Sequence, residues 1–331
     1  MDNLCHTLAG AALARAGAGR GTAYGTAALL IGANLPDIDV LAAFLDDTTG
    51  LAVRRGWTHG VLALAALPFL LTGLLLLWDQ LRRGRGSGPP VVPGALLLAS
   101  IVGVLSHPLL DLLNTYGIRL LMPFSGRWFY GDTLFIIDVW VWLLLSTGVY
   151  LSARRSRTGI PHAARPALVA LAVFSAYAAG MRIVTLRAES VARAAIEARW
   201  GEPVGSVLAS PVLVDPLTRL IVAAVPGGYR TGMVRLGAGP AFTPTRSDLV
   251  AAGPWGSEPV HTAMRTRAAR DFLVWARYPY VEMERVPAGT LVHFIDARYA
   301  DRPGVRFGAL SVLVPDDRPV LTWLPGTRRR P

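Results

Sequence analysis

Three stretches carry imidazole, carboxylate or arginine side chains at spacings that could do chemistry. In Ser106-His107-Pro108-Leu109-Leu110-Asp111, the histidine and aspartate stand four apart. On a helix they share one face and can meet one ion. The alternative is an interhelical hydrogen-bonded pair. Asn114 and Thr115 extend that polar stripe, and Pro108 is expected to disturb the helix and free a carbonyl. In Asn34-Leu35-Pro36-Asp37-Ile38-Asp39, proline pushes Leu35 towards extended geometry and leaves two carboxylates on a loop. They can ligate a cation or orient a ligating histidine; an ordinary turn or cap is the plainer use of Pro-Asp. In Arg54-Arg55-Gly56-Trp57-Thr58-His59, Thr58 is expected to cap a helix whose first turn holds His59. Arg55 suits a phosphate or carboxylate, or else anchors the helix at lipid headgroups.

Three further groups join the candidates. His6 sits near the start of the first apolar segment, and Asp132 precedes the fifth. Asp138 lies inside Ile136-Ile137-Asp138-Val139-Trp140, where a buried carboxylate needs a cationic or metal partner unless it is protonated. The full set of candidate metal ligands is His6, Asp37, Asp39, His59, His107, Asp111 and Asp138. His162 belongs to an arginine-rich loop on the opposite side, and His261 and His293 show no ligand spacing.

The elements that must position these groups are apolar. The chain has 331 residues, 52% hydrophobic and 17% charged, with a mean hydropathy of +0.41. Soluble domains carry about 25% charged residues. The apolar excess lies in the first 185 residues, in Leu4–Ala16, Thr22–Leu35, His59–Trp78, Val91–Leu113, Thr133–Ser152 and Pro166–Thr185. The first two are shorter than the ~20 residues a spanning helix needs.

Ionisable groups at membrane depth cost roughly 2.5–3.5 kcal/mol each on insertion scales, so each one is a functional hypothesis. Arginines in the connecting loops suggest orientation. Arg15, Arg20, Arg82, Arg83, Arg85, Arg154, Arg155, Arg157 and Arg165 fall on one side, and Arg54, Arg55, Arg119 and Arg127 on the other. The positive-inside rule places the first set in the cytoplasm. With six crossings the candidate ligands then share the opposite face, where the C-terminal domain also emerges.

The net charge of +11 comes from arginine alone, since the sequence has no lysine. No basic run is interleaved with aromatics, which argues against nucleic acid. Membrane lipid is the expected partner. Cys5 is the single cysteine, and the N-terminus lacks a cleavable signal pattern. After Leu186 the pattern changes to an amphipathic stretch through Trp200, then short β-branched runs at Arg219–Val225, Met233–Leu236, Leu291–Ile295 and Ala309–Val314. The expected fold is therefore mainly α: a polytopic helical membrane domain over 1–185 and a soluble, β-rich α+β domain over 186–331. The tail Arg328–Arg330 reads as disordered.

Taken together, Met1-Asp2-Asn3-Leu4-Cys5-His6-Thr7-Leu8, Leu35-Pro36-Asp37-Ile38-Asp39, Arg55-Gly56-Trp57-Thr58-His59 and Leu105-Ser106-His107-Pro108-Leu109-Leu110-Asp111 resemble the YdjM-like inner-membrane proteins. That family is described as membrane-bound metal-dependent hydrolases. The resemblance covers roughly residues 1–150 in consistent order and implies metal-dependent hydrolysis, with His6, Asp37, His59, His107 and Asp111 at the motif positions. Many members carry a histidine before the Arg-Gly step, where this chain has Arg54. Shorter relatives end after the membrane region, so the domain after Leu186 is an addition. Its segments Phe272–Tyr280 and Phe294–Tyr299 look like those of longer relatives.

The resulting expectation is a multi-pass inner-membrane hydrolase with one or two divalent ions, zinc first and manganese or iron as alternatives. It would act on a phosphoester or lipid-linked substrate. Asp37 would serve as ligand or general base, Asp39 behind a ligand, and Arg55 beside an anionic leaving group. The rival is a metal-stabilised scaffold whose outer domain binds a partner. Metal transport fits less well, because the run after His59 is free of polar residues through the midplane.

Overall fold

A computed structural model describes residues 1–44, 53–82, 89–237, 239–245, 249–299, 307–316 and 321–323. Arg83, Arg85 and Arg328–Arg330 lie outside them. The chain divides into two compact units. The first comprises Met1–Asp39, Arg54–Ile183 and Leu213–Pro216.

In the first unit α1 (Asn3–Ala16) and α2 (Gly25–Gly32) are followed by a 3₁₀ segment, Leu35–Phe44. A short 3₁₀ turn, Trp57–His59, then leads to α3 (Val61–Arg82), α4 (Pro93–Asp111), α5 (Val139–Arg157) and α6 (Arg165–Trp200), whose residues from Val184 on belong to the second unit. Three of these, α3, α4 and α6, are long and apolar enough to cross a membrane. The expectation of six crossings goes further than this. α1 and α2 have only 14 and 8 residues, and Arg154, Arg155 and Arg157 occupy the last turn of α5.

Other local expectations are revised. Leu35 is not extended; it opens a 3₁₀ segment with Pro36 in its first turn, where a missing N–H costs nothing. Thr58 does not cap α3. Gly60 is extended (φ −77°, ψ 161°) and separates the Trp57–His59 turn from the helix. A Cβ at Gly60 would run into the Met122 carbonyl. Pro108 does not end α4, which continues to Asp111. No break separates the sixth apolar segment from the amphipathic stretch after it, and both form the single 36-residue helix α6.

Helices α2 and α4 approach closely through glycine. A Cβ on Gly103 would lie 2.9 Å from the Ala28 carbonyl, and one on Gly32 would lie 3.0 Å from the Val104 nitrogen. Between α3 and α4 the buried Thr72 hydroxyl donates to Ser100 at 3.0 Å. Close backbone contact and interhelical hydrogen bonds drive association where lipid removes the hydrophobic incentive. A second apolar cluster joins Cys5, Ala9 and Ala12 of α1 to Val141 and Leu145 of α5. Together these contacts hold the N-terminal end of α3 and the C-terminal end of α4 at one site.

The second unit is built on two antiparallel sheets. One has the order β1–β2–β3–β4 (Val207–Pro211, Thr218–Val225, Gly228–Arg235, Ala241–Pro244), with β5 (Val250–Ala251) also on β3. The other runs β6–β7–β8–β9 (Pro279–Val286, Gly289–Asp296, Ala309–Val314, Leu321–Trp323). The four β-branched runs of the sequence fall on strands, apart from Leu236, which follows the end of β3. Ala188, Ala192 and Ile196, one stripe of α6 at four-residue spacing, pack on Ala209, Ile221 and Val234 of the first sheet. Between the sheets lie helices α7 (Glu258–Met264) and α8 (Arg267–Trp275) in chain order.

Candidate metal centre

Four side chains from three elements converge. Asp37 comes from the 3₁₀ segment, His59 from the short turn before α3, and His107 and Asp111 from the last turn of α4. One ligand atom from each lies within 4.8 Å of all the others. His59 Nε2 and His107 Nε2 stand 3.0 Å apart. Asp37 Oδ1 is 3.7 Å from the first and 3.6 Å from the second. Asp111 Oδ2 is 3.5 Å and 3.3 Å from them. All four residues are buried. The i,i+4 pairing of His107 with Asp111 is the helix-face arrangement expected from their spacing.

The far nitrogens of both rings are held. His107 Nδ1 lies 2.7 Å from the Ala33 carbonyl. A carbonyl only accepts, so Nδ1 carries the proton and Nε2 presents a lone pair to the cluster. His59 Nδ1 is 3.2 Å from Asp39 Oδ2 and 2.9 Å from the Thr58 hydroxyl, whose own proton goes to Asp39 at 3.0 Å. This again directs Nε2 inward. Carboxylates and carbonyls behind histidines are the usual way to orient metal-binding imidazoles. Two Nε2 atoms 3.0 Å apart and flanked by two carboxylate oxygens need either a proton or a metal cation between them. Asp111 Oδ2 is buried and has no hydrogen-bond partner among the described residues, so the donor set fits a divalent ion. Replacing Asp39 with asparagine is expected to weaken metal affinity by about 10–100-fold while leaving the fold intact, as read by competition with a chelator of known affinity.

The charge state follows from the same contacts. Burial alone would lower the pKa of His59, but the carboxylates of Asp111, Asp37 and Asp39 packed around the ring raise it to about 10. For Asp37, burial works upward, and the neighbouring His59 and His107 rings overcome it to give about 2. At pH 7 His59 therefore holds a proton where the ligand atoms meet, and an incoming cation must expel it. Zinc binding at pH 7 is expected to release about one proton. Affinity should rise about tenfold per pH unit towards pH 9, because a group whose pKa is raised to about 10 competes most strongly below it. Calorimetry in buffers of different ionisation enthalpy measures the proton count; a value near zero would contradict this account.

Asp111 also faces away from the cluster. Its Oδ1 forms an ion pair with Arg55 Nη2 at 3.1 Å and accepts from the Met1 amine. His6 Nε2 lies 3.3 Å from the same oxygen, and the His6 ring stacks on His107 with centroids 3.8 Å apart. Neither nitrogen of His6 has a hydrogen-bond partner among the described residues. His6 thus borders the four-residue set on the other side of Asp111. Arg55 is buried and adopts a left-handed backbone (φ 52°). Its N–H donates to Asp39 at 2.6 Å, and Nη1 donates to Asn114 at 3.1 Å.

The remaining candidates lie elsewhere. Asp138 caps α5 by accepting from the Trp140 and Val141 amides at 3.0 and 3.1 Å, and it accepts from the Tyr177 hydroxyl at 3.2 Å. The cost of burying it is met by hydrogen bonds rather than by the cluster. Asp132 is buried beside Asn114, its N–H 3.4 Å from that residue's carbonyl. His162 is exposed, and His293 pairs with Ser311 at 2.8 Å. Sequence inspection did not single out the Ala33 carbonyl or the Met1 amine, since backbone groups have no side-chain signature. Asn114, three residues after Asp111, was visible as part of a polar stripe.

Comparison with known proteins agrees with this placement. The chain matches the family described as YdjM inner membrane protein over residues 1–187, which hold all four clustered side chains. It is similar to the uncharacterized protein YfhP of Bacillus subtilis (strain 168), at 27% identity over 101 residues. That stretch covers 30% of this chain and 28% of YfhP. No solved structure matches. A family match over more than half of the chain, apolar helices of spanning length and a buried histidine–aspartate cluster lead to one statement of kinship: this membrane protein belongs to the YdjM inner membrane protein family.

Proposed function

We propose that the cluster holds a divalent metal, zinc before manganese or iron, and that the protein hydrolyses a phosphoester at the membrane face. The observation that carries the metal is the inward pair of Nε2 atoms between two carboxylates, with their far nitrogens tied to Asp39 and Ala33. Two imidazoles and two carboxylates form a mixed set that suits those three metals. A bound ion of this kind lowers the pKa of water towards ~7 and polarises a scissile bond. The residues around it prepare the place. Asp39 and Ala33 lock the rings, and Arg55 neutralises the outer oxygen of Asp111 so that the inner one stays directed at the ion. Asp37, in the first turn of its 3₁₀ segment, is the second carboxylate ligand. Because Arg55 spends its Nη groups on Asp111 and Asn114, its role in this reading is to position Asp111, and a leaving group would meet other donors. The arginine distribution supports placing this face outside the cytoplasm.

Purified full-length protein is assayed for metal content and for turnover on a panel of phosphoesters. Bound metal with metal-dependent turnover supports the reading. Stoichiometric metal without turnover on any member would leave the metal-stabilised scaffold instead.

A further inference from the structure

Beside the cluster the chain doubles back in a way that hydrolysis does not use. Arg119 N–H donates to the Arg55 carbonyl and Val61 N–H to the Leu120 carbonyl, both at 2.9 Å, and Ile118 pairs with Phe129. The loop after α4 is thereby laid along the turn that carries His59. Its aromatic rings interleave with arginines: Arg54 and Arg55 lie 5.8 and 4.8 Å from the Tyr116 ring centre, and Arg119 lies 4.9 Å from Trp128. Tyr116 and Trp128 meet edge to face at 6.0 Å.

Two independent features point to a ligand. Donors outnumber acceptors: Arg54 Nε, Arg55 Nε and Trp128 Nε1 are buried and have no hydrogen-bond acceptor among the described residues. Arg55 as a whole is only 2% exposed. Unmet N–H groups beside two guanidinium charges call for an anion, and phosphate offers acceptors in the geometry that arginine prefers. The outer surface of the same loops is apolar. Trp57 is 57% exposed and Phe124 is 76% exposed, with Leu121 exposed beside them. None lies on a membrane-spanning helix, yet all sit where α3 begins and where the loop after α4 packs on it. Exposed aromatics at the end of a span belong to the headgroup layer of a bilayer, and large apolar patches mark contact sites.

We propose that this rim binds an anionic lipid through its phosphate. The headgroup takes the donors of Arg54 and Trp128 beside the metal cluster, and the acyl region rests on Trp57, Leu121 and Phe124. A water-soluble phosphoester has no use for the apolar rim, so the substrate class is lipid-borne and reaches the site from the bilayer. The proposal rests on the hydrolase reading only for the fate of the phosphate; binding stands apart from it.

The test uses the full-length protein in zwitterionic nanodiscs, with phosphatidic acid as the lipid probe and glycerol 3-phosphate as its water-soluble counterpart. Trp57→Ala/Phe124→Ala removes exposed rings and is expected to weaken phosphatidic acid binding about tenfold without changing glycerol 3-phosphate binding. Arg54→Gln is expected to weaken both probes about fivefold. Trp128→Phe keeps the ring, removes only the N–H, and should also weaken both. Unchanged phosphatidic acid binding in the double variant would overturn the proposal, as would equal losses for both probes there. Turnover on the same samples separates the two readings. Lipid binding without hydrolysis fails the hydrolase alone, whereas hydrolysis of glycerol 3-phosphate with no lipid preference fails this proposal alone.

Discussion

Replacing His107 with alanine is expected to lower divalent-metal affinity by more than about a hundredfold, beyond the 10–100-fold typical of losing a residue behind a ligand. His107 Nε2 is the atom closest to the other donors, 3.0 Å from His59 and 3.3 Å from Asp111. Its removal leaves a single imidazole with two carboxylates. The space it vacates lies against His6, which loses its stacking partner. Metal content after dialysis and a chelator titration measure the loss. His162→Ala, in an exposed turn, should bind like the parent. A His107→Ala protein that retains one equivalent of tightly held metal would show that the ion sits elsewhere.

The second large effect concerns stability. Arg55→Ala is expected to destabilise the protein by about 3–5 kcal/mol, the cost of leaving a buried charge without its partner. Arg55 joins four parts of the chain: its guanidinium reaches Asp111 at 3.1 Å, Asn114 at 3.1 Å and the Met1 carbonyl at 3.3 Å, and its backbone N–H reaches Asp39 at 2.6 Å. The Met1 amine also pairs with Asp111, which places the effect towards the lower end. Arg55→Lys should recover only part of it, because an ammonium cannot reproduce the planar fork. Denaturation of the detergent-solubilised protein measures both variants. A change within about 0.5 kcal/mol for Arg55→Ala, the range of ordinary surface substitutions, would mean that the network is not structural.

Much of the site could be read from residue types. His107 and Asp111 are four apart, and helical geometry alone puts them on one face. The step from Leu186 to alternating strands was also visible, because hydrophobic period is a local property; the Ala309–Val314 run is strand β8 from end to end. Asp39, offered both as a ligand and as a residue behind one, lies 3.2 Å from His59 Nδ1 and outside the four-residue group. What local pattern could not supply was selection among equivalent candidates. Asp138, in an apolar run, looked as ligand-like as Asp37. The difference is that the Trp140 and Val141 amides and the Tyr177 hydroxyl already satisfy Asp138.

By itself, the sequence determined that this chain has apolar segments of spanning length, a β-rich C-terminal part and a shortlist of imidazoles and carboxylates, all set by composition and short-range spacing. Only the tertiary structure decided that Asp37, His59, His107 and Asp111 share one centre while His6 borders it and Asp138 leaves it. Those residues are separated by 22, 48 and 4 positions in the chain. Their meeting depends on Gly32 and Gly103 letting α2 and α4 touch and on the Ala33 carbonyl turning His107 inward. Both are backbone approaches, and a string of side-chain types does not encode them locally.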